Sequence, residues 1–166
     1  LKFKNDKTKI FVGGDSAGCG IVISSIGNWQ KDNVQLPDGL VLISPWLNLY
    51  CNSESYSLNK ESDKILNKEE LVKYAGLYIG TSDLKSASPS NLVFTGFPPN
   101  LIAVGKDEVL YQDSKDLNEK VKNVQPKSFL LEFENVFHVW PLTDINSQSS
   151  KSLLVEISNF LDNETD

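Results

Sequence analysis

Apolar residues in this chain fall in short unbroken runs: Ile10-Phe11-Val12, Leu40-Val41-Leu42-Ile43, Leu101-Ile102-Ala103-Val104 and Phe129-Leu130-Leu131. Runs of this length between turn residues suit strands covered on both faces, the setting of a parallel sheet. They predict strands over 9–13, 39–44, 101–104 and 128–133; Pro45 ends the second and Gly105 the third. The intervening stretches have helical spacing, over about 17–29, 68–79 and 112–123. A last helix over 150–161 carries Leu153, Leu154, Ile157 and Leu161 on one face. In the second helix Asn67 reads as an N-cap with Glu70 at the capping-box offset, and Gly80 as the stop. Strands alternating with helices predict an α/β fold, a mostly parallel sheet with flanking helices, in a single domain over 1–166.

Two connections stand out against this pattern. The stretch from Trp46 to Asn67 is long, polar and rich in Ser and Asn, the kind of loop that forms a functional or cap-like surface. Residues 86–100 are turn-rich, with Pro89, Gly96, Pro98 and Pro99. The lead-in from Leu1 to Thr8 is polar and basic.

Composition narrows the class. A chain of 166 residues with 40% hydrophobic and 23% charged residues suits a globular domain with a sizeable core. The net charge of −6 argues against an extended nucleic-acid surface. No apolar run approaches the roughly 20 residues that span a bilayer. The absence of Met and a strand close to Leu1 suggest that residues precede this start. Targeting is therefore not legible here; a cytoplasmic location is the working expectation, and an upstream anchor is compatible with it. Cys19 and Cys51 form neither a disulfide framework nor a zinc pattern, and Cys19 reads as a small packing residue. Asn163-Glu164-Thr165 fits the glycosylation pattern at a polar terminus, where a chance match is the simpler reading.

The first strand runs into Gly14-Asp15-Ser16-Ala17-Gly18, a G-x-S-x-G strand–turn–helix in which glycines relieve the crowding around a strained serine. The following helix aims free N–H groups back at the turn. His138, the sole histidine, follows the fourth strand on the edge where open α/β sheets gather their reactive groups. A carboxylate must then lie between serine and histidine, after a strand. Asp107, directly after the third strand, is the favoured acid; Glu108 and Asp113 are its rivals, read as a solvated charge or a helix N-terminal anion.

These residues resemble the hormone-sensitive-lipase-like branch of the α/β-hydrolase superfamily, with its esterases and arylacetamide-deacetylase-like enzymes. The similarity runs from Lys9 to about Phe160. It rests on the elbow, on Ile43-Ser44-Pro45-Trp46 with Leu49, and on Ser88-Pro89. Phe97-Pro98-Pro99-Asn100-Leu101-Ile102, Val104-Gly105-Lys106-Asp107-Glu108-Val109-Leu110 and Phe137-His138-Val139-Trp140 complete it. Asn48 stands where the family often has Asp, and Cys19 where many relatives have Gly. The resemblance implies the C-terminal part of an α/β-hydrolase fold. It also implies a serine carboxylic-ester hydrolase with a Ser16–His138–Asp107 triad, an acyl-enzyme and the Ala17 backbone N–H in the oxyanion hole. No metal or organic cofactor is implied. The family's His-Gly-Gly oxyanion segment, the strands before the elbow and the N-terminal cap are absent from the sequence. The first strand would then present an open edge, so association with an N-terminal portion or with a second copy is expected. The alternative reading is a non-catalytic small-molecule-binding or interaction module on the same fold.

Overall fold

The computed structural model describes residues 8–163. Most of the lead-in, and Glu164 and Thr165 of the glycosylation pattern, thus fall outside the described residues. Four parallel strands, β1 (Phe11–Asp15), β2 (Gly39–Ile43), β3 (Asn100–Gly105) and β4 (Phe129–Phe133), lie side by side in sequence order. The register pairs Val12 with Leu40, Val41 with Leu101 and Ile102 with Leu130. Every residue of β3 is buried, as its unbroken apolar run requires.

The helices α1 (Ala17–Lys31), α5 (Tyr111–Val121) and α7 (Gln148–Asn163) cover the sheet. On one face Val22, Ile23 and Ile26 of α1 and Leu117 and Val121 of α5 pack with Leu40, Leu42 and Ile102. On the other, Leu153 and Phe160 of α7 join Leu101, Ala103 and Trp140. The two-residue period of β3 thus divides its side chains between two cores. Phe160 meets Phe11 and Phe129 edge-on at ring-centroid distances of 6.1 and 6.0 Å. The face of α7 therefore centres on Leu153 and Phe160, while Leu154, expected inside, is exposed.

The helix α3 (Lys68–Ile79) begins at Asn67, whose Oδ1 accepts the Glu70 N–H at 2.9 Å, and ends at Gly80 with φ +54°. It buries only Leu71 and Ala75 and leaves Tyr74, Leu77 and Tyr78 exposed. Four shorter elements were not resolved by periodicity. They are α2 (Ser55–Leu58) inside the long loop, α4 (Leu84–Ala87), a 3-10 turn at Pro89–Asn91 and α6 (Trp140–Thr143) after His138. Each is too short to show a helical repeat in sequence.

Candidate active site

Ser16 stands between β1 and α1 with φ +51° and ψ −122°, a conformation that costs a side-chain-bearing residue about 1–3 kcal/mol. Two cross-links to the end of β2 hold it: the Ser16 N–H donates to the Ile43 carbonyl at 2.9 Å, and the Trp46 N–H to the Ser16 carbonyl at 3.1 Å. Gly14 is a steric requirement, since a Cβ there would lie 2.7–2.9 Å from the backbone of Gly18 and Cys19. Gly18 is not: a Cβ there meets nothing within 4 Å, so the crowding expected on both flanks exists on one. Ala17 opens α1, so its N–H has no carbonyl a turn earlier to bond and stays available at the serine.

Beyond β4 the chain turns through Asn135, at φ +56°, and Val139, at φ +47°, and between them presents His138. Its Nε2 lies 2.8 Å from Ser16 Oγ and its Nδ1 2.7 Å from Glu108 Oε2. The pair is closed to water, the His138 side chain being 5% exposed and that of Glu108 1%. The second carboxylate oxygen, Glu108 Oε1, accepts from the Gly105 N–H at 2.6 Å and from Ser44 Oγ at 2.8 Å. A buried carboxylate with three donors is satisfied, which is what allows it to sit in the interior.

The acid beside the histidine is therefore Glu108, not Asp107. The chain reverses after β3 so that the Glu108 N–H bonds back to the Gly105 carbonyl at 3.2 Å. That return carries residue 108 over the strand end and leaves 107 at the outer corner of the turn. Among the described residues no hydrogen bond or ion pair reaches the Asp107 carboxylate; only its carbonyl is used, by Ser62 Oγ at 3.0 Å. Gly105 makes the return possible, because a Cβ there would come within 3.0 Å of Glu108 Oε1 and 2.9 Å of Val136 Cγ2. The structure brings together Ser16, His138 and Glu108, with the Ala17 N–H alongside; it leaves Asp107 out.

The family model for the alpha/beta hydrolase fold matches residues 2–142. The chain belongs to the α/β-hydrolase family. This α/β-hydrolase is 32% identical over 134 residues to an acetyl-hydrolase of Streptomyces hygroscopicus, a match covering 80% of the chain and 45% of that protein. It is 29% identical over 155 residues to an esterase of Acinetobacter venetianus, covering 91% and 51%. Among solved structures it superposes on an esterase from the bacterial hormone-sensitive lipase family with a TM-score of 0.90 at 30% identity, covering 97% of this chain and 55% of the other. Within the family this is a hormone-sensitive-lipase-like chain, and it spans about half the length of the curated relatives it matches.

Two further features shape the surroundings of the serine. A largely apolar cavity of about 210 Å³ begins at Ala17 and is walled by Ile21, Trp46, Leu49, Tyr74 and Tyr78. The wall segment from Trp46 is held by Asp113, whose Oδ2 accepts the N–H groups of Leu47 at 2.9 Å and Asn48 at 2.8 Å and the Tyr56 hydroxyl at 3.3 Å. Asp113 lies in the first turn of α5 as expected but is buried rather than solvated, and burial pushes its carboxyl up from 3.8 to about 7. Cys19 is a packing residue: it is fully buried, its thiol donates to the Gly14 carbonyl at 3.1 Å, and burial pushes its pKa well up.

Proposed function

We propose that the protein is a serine carboxylic-ester hydrolase working through Ser16, His138 and Glu108. The observation that carries this reading is the unbroken hydrogen-bond chain from Ser16 Oγ through the imidazole to a buried carboxylate. Ser16 Oγ attacks the ester carbonyl as His138 Nε2 takes its proton, and the oxyanion that forms is stabilised by the Ala17 N–H. The same proton passes to the departing alcohol, leaving an acyl-Ser16. Water, deprotonated at the same nitrogen, then releases the acid and restores the serine. Glu108 holds the tautomer with hydrogen on Nδ1 and stabilises the imidazolium formed at each transfer. The apolar cavity beside Ala17 suits the hydrocarbon part of an ester.

The similarity to an acetyl-hydrolase and to esterases supports ester hydrolysis over a binding module, and so does the histidine within reach of the serine. The test is hydrolysis of short-chain p-nitrophenyl esters by the full-length protein. Ser16→Ala should abolish turnover, and a fluorophosphonate probe should label the parent at Ser16. Labelling elsewhere, or turnover that persists without the Ser16 hydroxyl, overturns the reading.

A further inference from the structure

We propose that Ser44 is a positioning residue of this site, the hydroxyl that ties the acid to the histidine loop. The inference rests on the serine-hydrolase reading and names a group that reading does not use. Ser44 follows β2, which supplies none of the three reacting side chains. It is fully buried, and its N–H bonds the Ala103 carbonyl of β3 at 2.7 Å. Its Oγ donates to Glu108 Oε1 at 2.8 Å and accepts from the Val139 N–H at 3.3 Å. One hydroxyl thus connects the loop after β3, which holds the carboxylate, to the loop after β4, which holds the imidazole.

The backbone strengthens the assignment. Ser44 sits at φ +49°, in the region where glycine is at ease and a residue with a Cβ is strained. On backbone grounds alone glycine would suit this position better. What serine adds is its hydroxyl, and both lone-pair and proton sides of that hydroxyl are engaged in the site. A donor on Oε1 fixes which edge of the carboxylate faces His138, leaving Oε2 for Nδ1 at 2.7 Å. The bond to Val139 fixes the residue next to the imidazole, itself strained at φ +47°.

This arrangement yields a clean variant, because Ser44→Gly removes the hydroxyl while relieving the backbone. In the full-length protein the backbone relief should offset part of the stability lost with the two hydrogen bonds, so that Ser44→Gly melts above Ser44→Ala. Its kcat should fall about 10- to 100-fold, as loss of a hydrogen bond to a charged group implies, and KM should stay within about twofold. The low-field proton resonance of the His138 Nδ1–H should shift or broaden away. Ser44→Ala should reproduce the kinetic loss without the backbone relief. Wild-type kcat in either variant overturns the proposal, as does a loss that follows the melting temperature with the resonance unmoved. Read in the Ser16→Ala background, the resonance needs no turnover. A failure of the esterase reading therefore leaves the hold of Ser44 on the Glu108–His138 pair separately decided.

Discussion

Glu108 and Asp107 are adjacent, carry the same charge and follow the same strand, yet only one reaches His138. The distinction predicts a sharp contrast in kinetics. Glu108→Gln should lower kcat by about 10³- to 10⁴-fold, since an amide cannot hold the required tautomer. Asp107→Asn, at the outer corner of the turn, should stay within about twofold of the parent in the same ester assay. The reverse ranking would remove Glu108 from the mechanism. Sequence spacing identified Ser16 and His138 because each is marked, one by its glycine frame and one by being the sole histidine. The acid was not marked in that way. Its identity depends on a reversal that returns the third residue after Gly105 to the strand end, and the one available signal was that glycine. The extra methylene of glutamate then supplies the reach.

Among the elements, the strands and the main helices were legible because unbroken apolar runs and helical spacing survive in sequence. The segment from Trp46 to Asn67 was legible only as a loop, since its order comes from a distant residue. Asp113 on α5 accepts two of its backbone N–H groups and the hydroxyl of Tyr56 on α2, and Ser53 Oγ stands 3.4 Å from the other carboxylate oxygen. Burial raises this carboxyl to about 7, and the nearby Asp116 acts in the same direction. The folded state therefore holds the proton more tightly than the unfolded chain does. By linkage, this group's contribution to stability falls as pH rises from about 4 to 7 and is level above that, a change on the order of a few kcal/mol. Asp113→Asn has no such titration. The melting temperature of the parent minus that of the variant should decline across this window in calorimetry; a constant difference would show that the carboxyl titrates normally. The same tie predicts that the variant loosens Trp46 and Leu49, raising KM for esters more than it lowers kcat.

At the scale of the molecule, β1 bonds β2 on one side, and among the described residues nothing pairs its other side. A strand of FVGGD composition with an unpaired edge is a template for another strand. We propose that this edge is occupied in the working protein, by further chain of the same polypeptide or by a second copy. The 166-residue chain alone should sediment above its 18.5 kDa monomer mass; a stable monomer across micromolar concentrations would count against occupation of the edge. The reactive groups come from the ends of β1, β3 and β4, whereas the end of β2 supplies the Ile43 carbonyl, the Ser44 hydroxyl and the Trp46 N–H that bind them together. That placement has a consequence for motion. Nucleophiles at loop tips are ordinarily among the readily opened parts of a fold, but here the amide of the nucleophile is locked to the central sheet. In hydrogen–deuterium exchange the Ser16 amide should rank with those of β3, exchanging only when the sheet itself opens. Loss of the nucleophile's geometry would then coincide with global unfolding, and heat loss of the proposed esterase activity would follow the melting curve with no inactive folded state between.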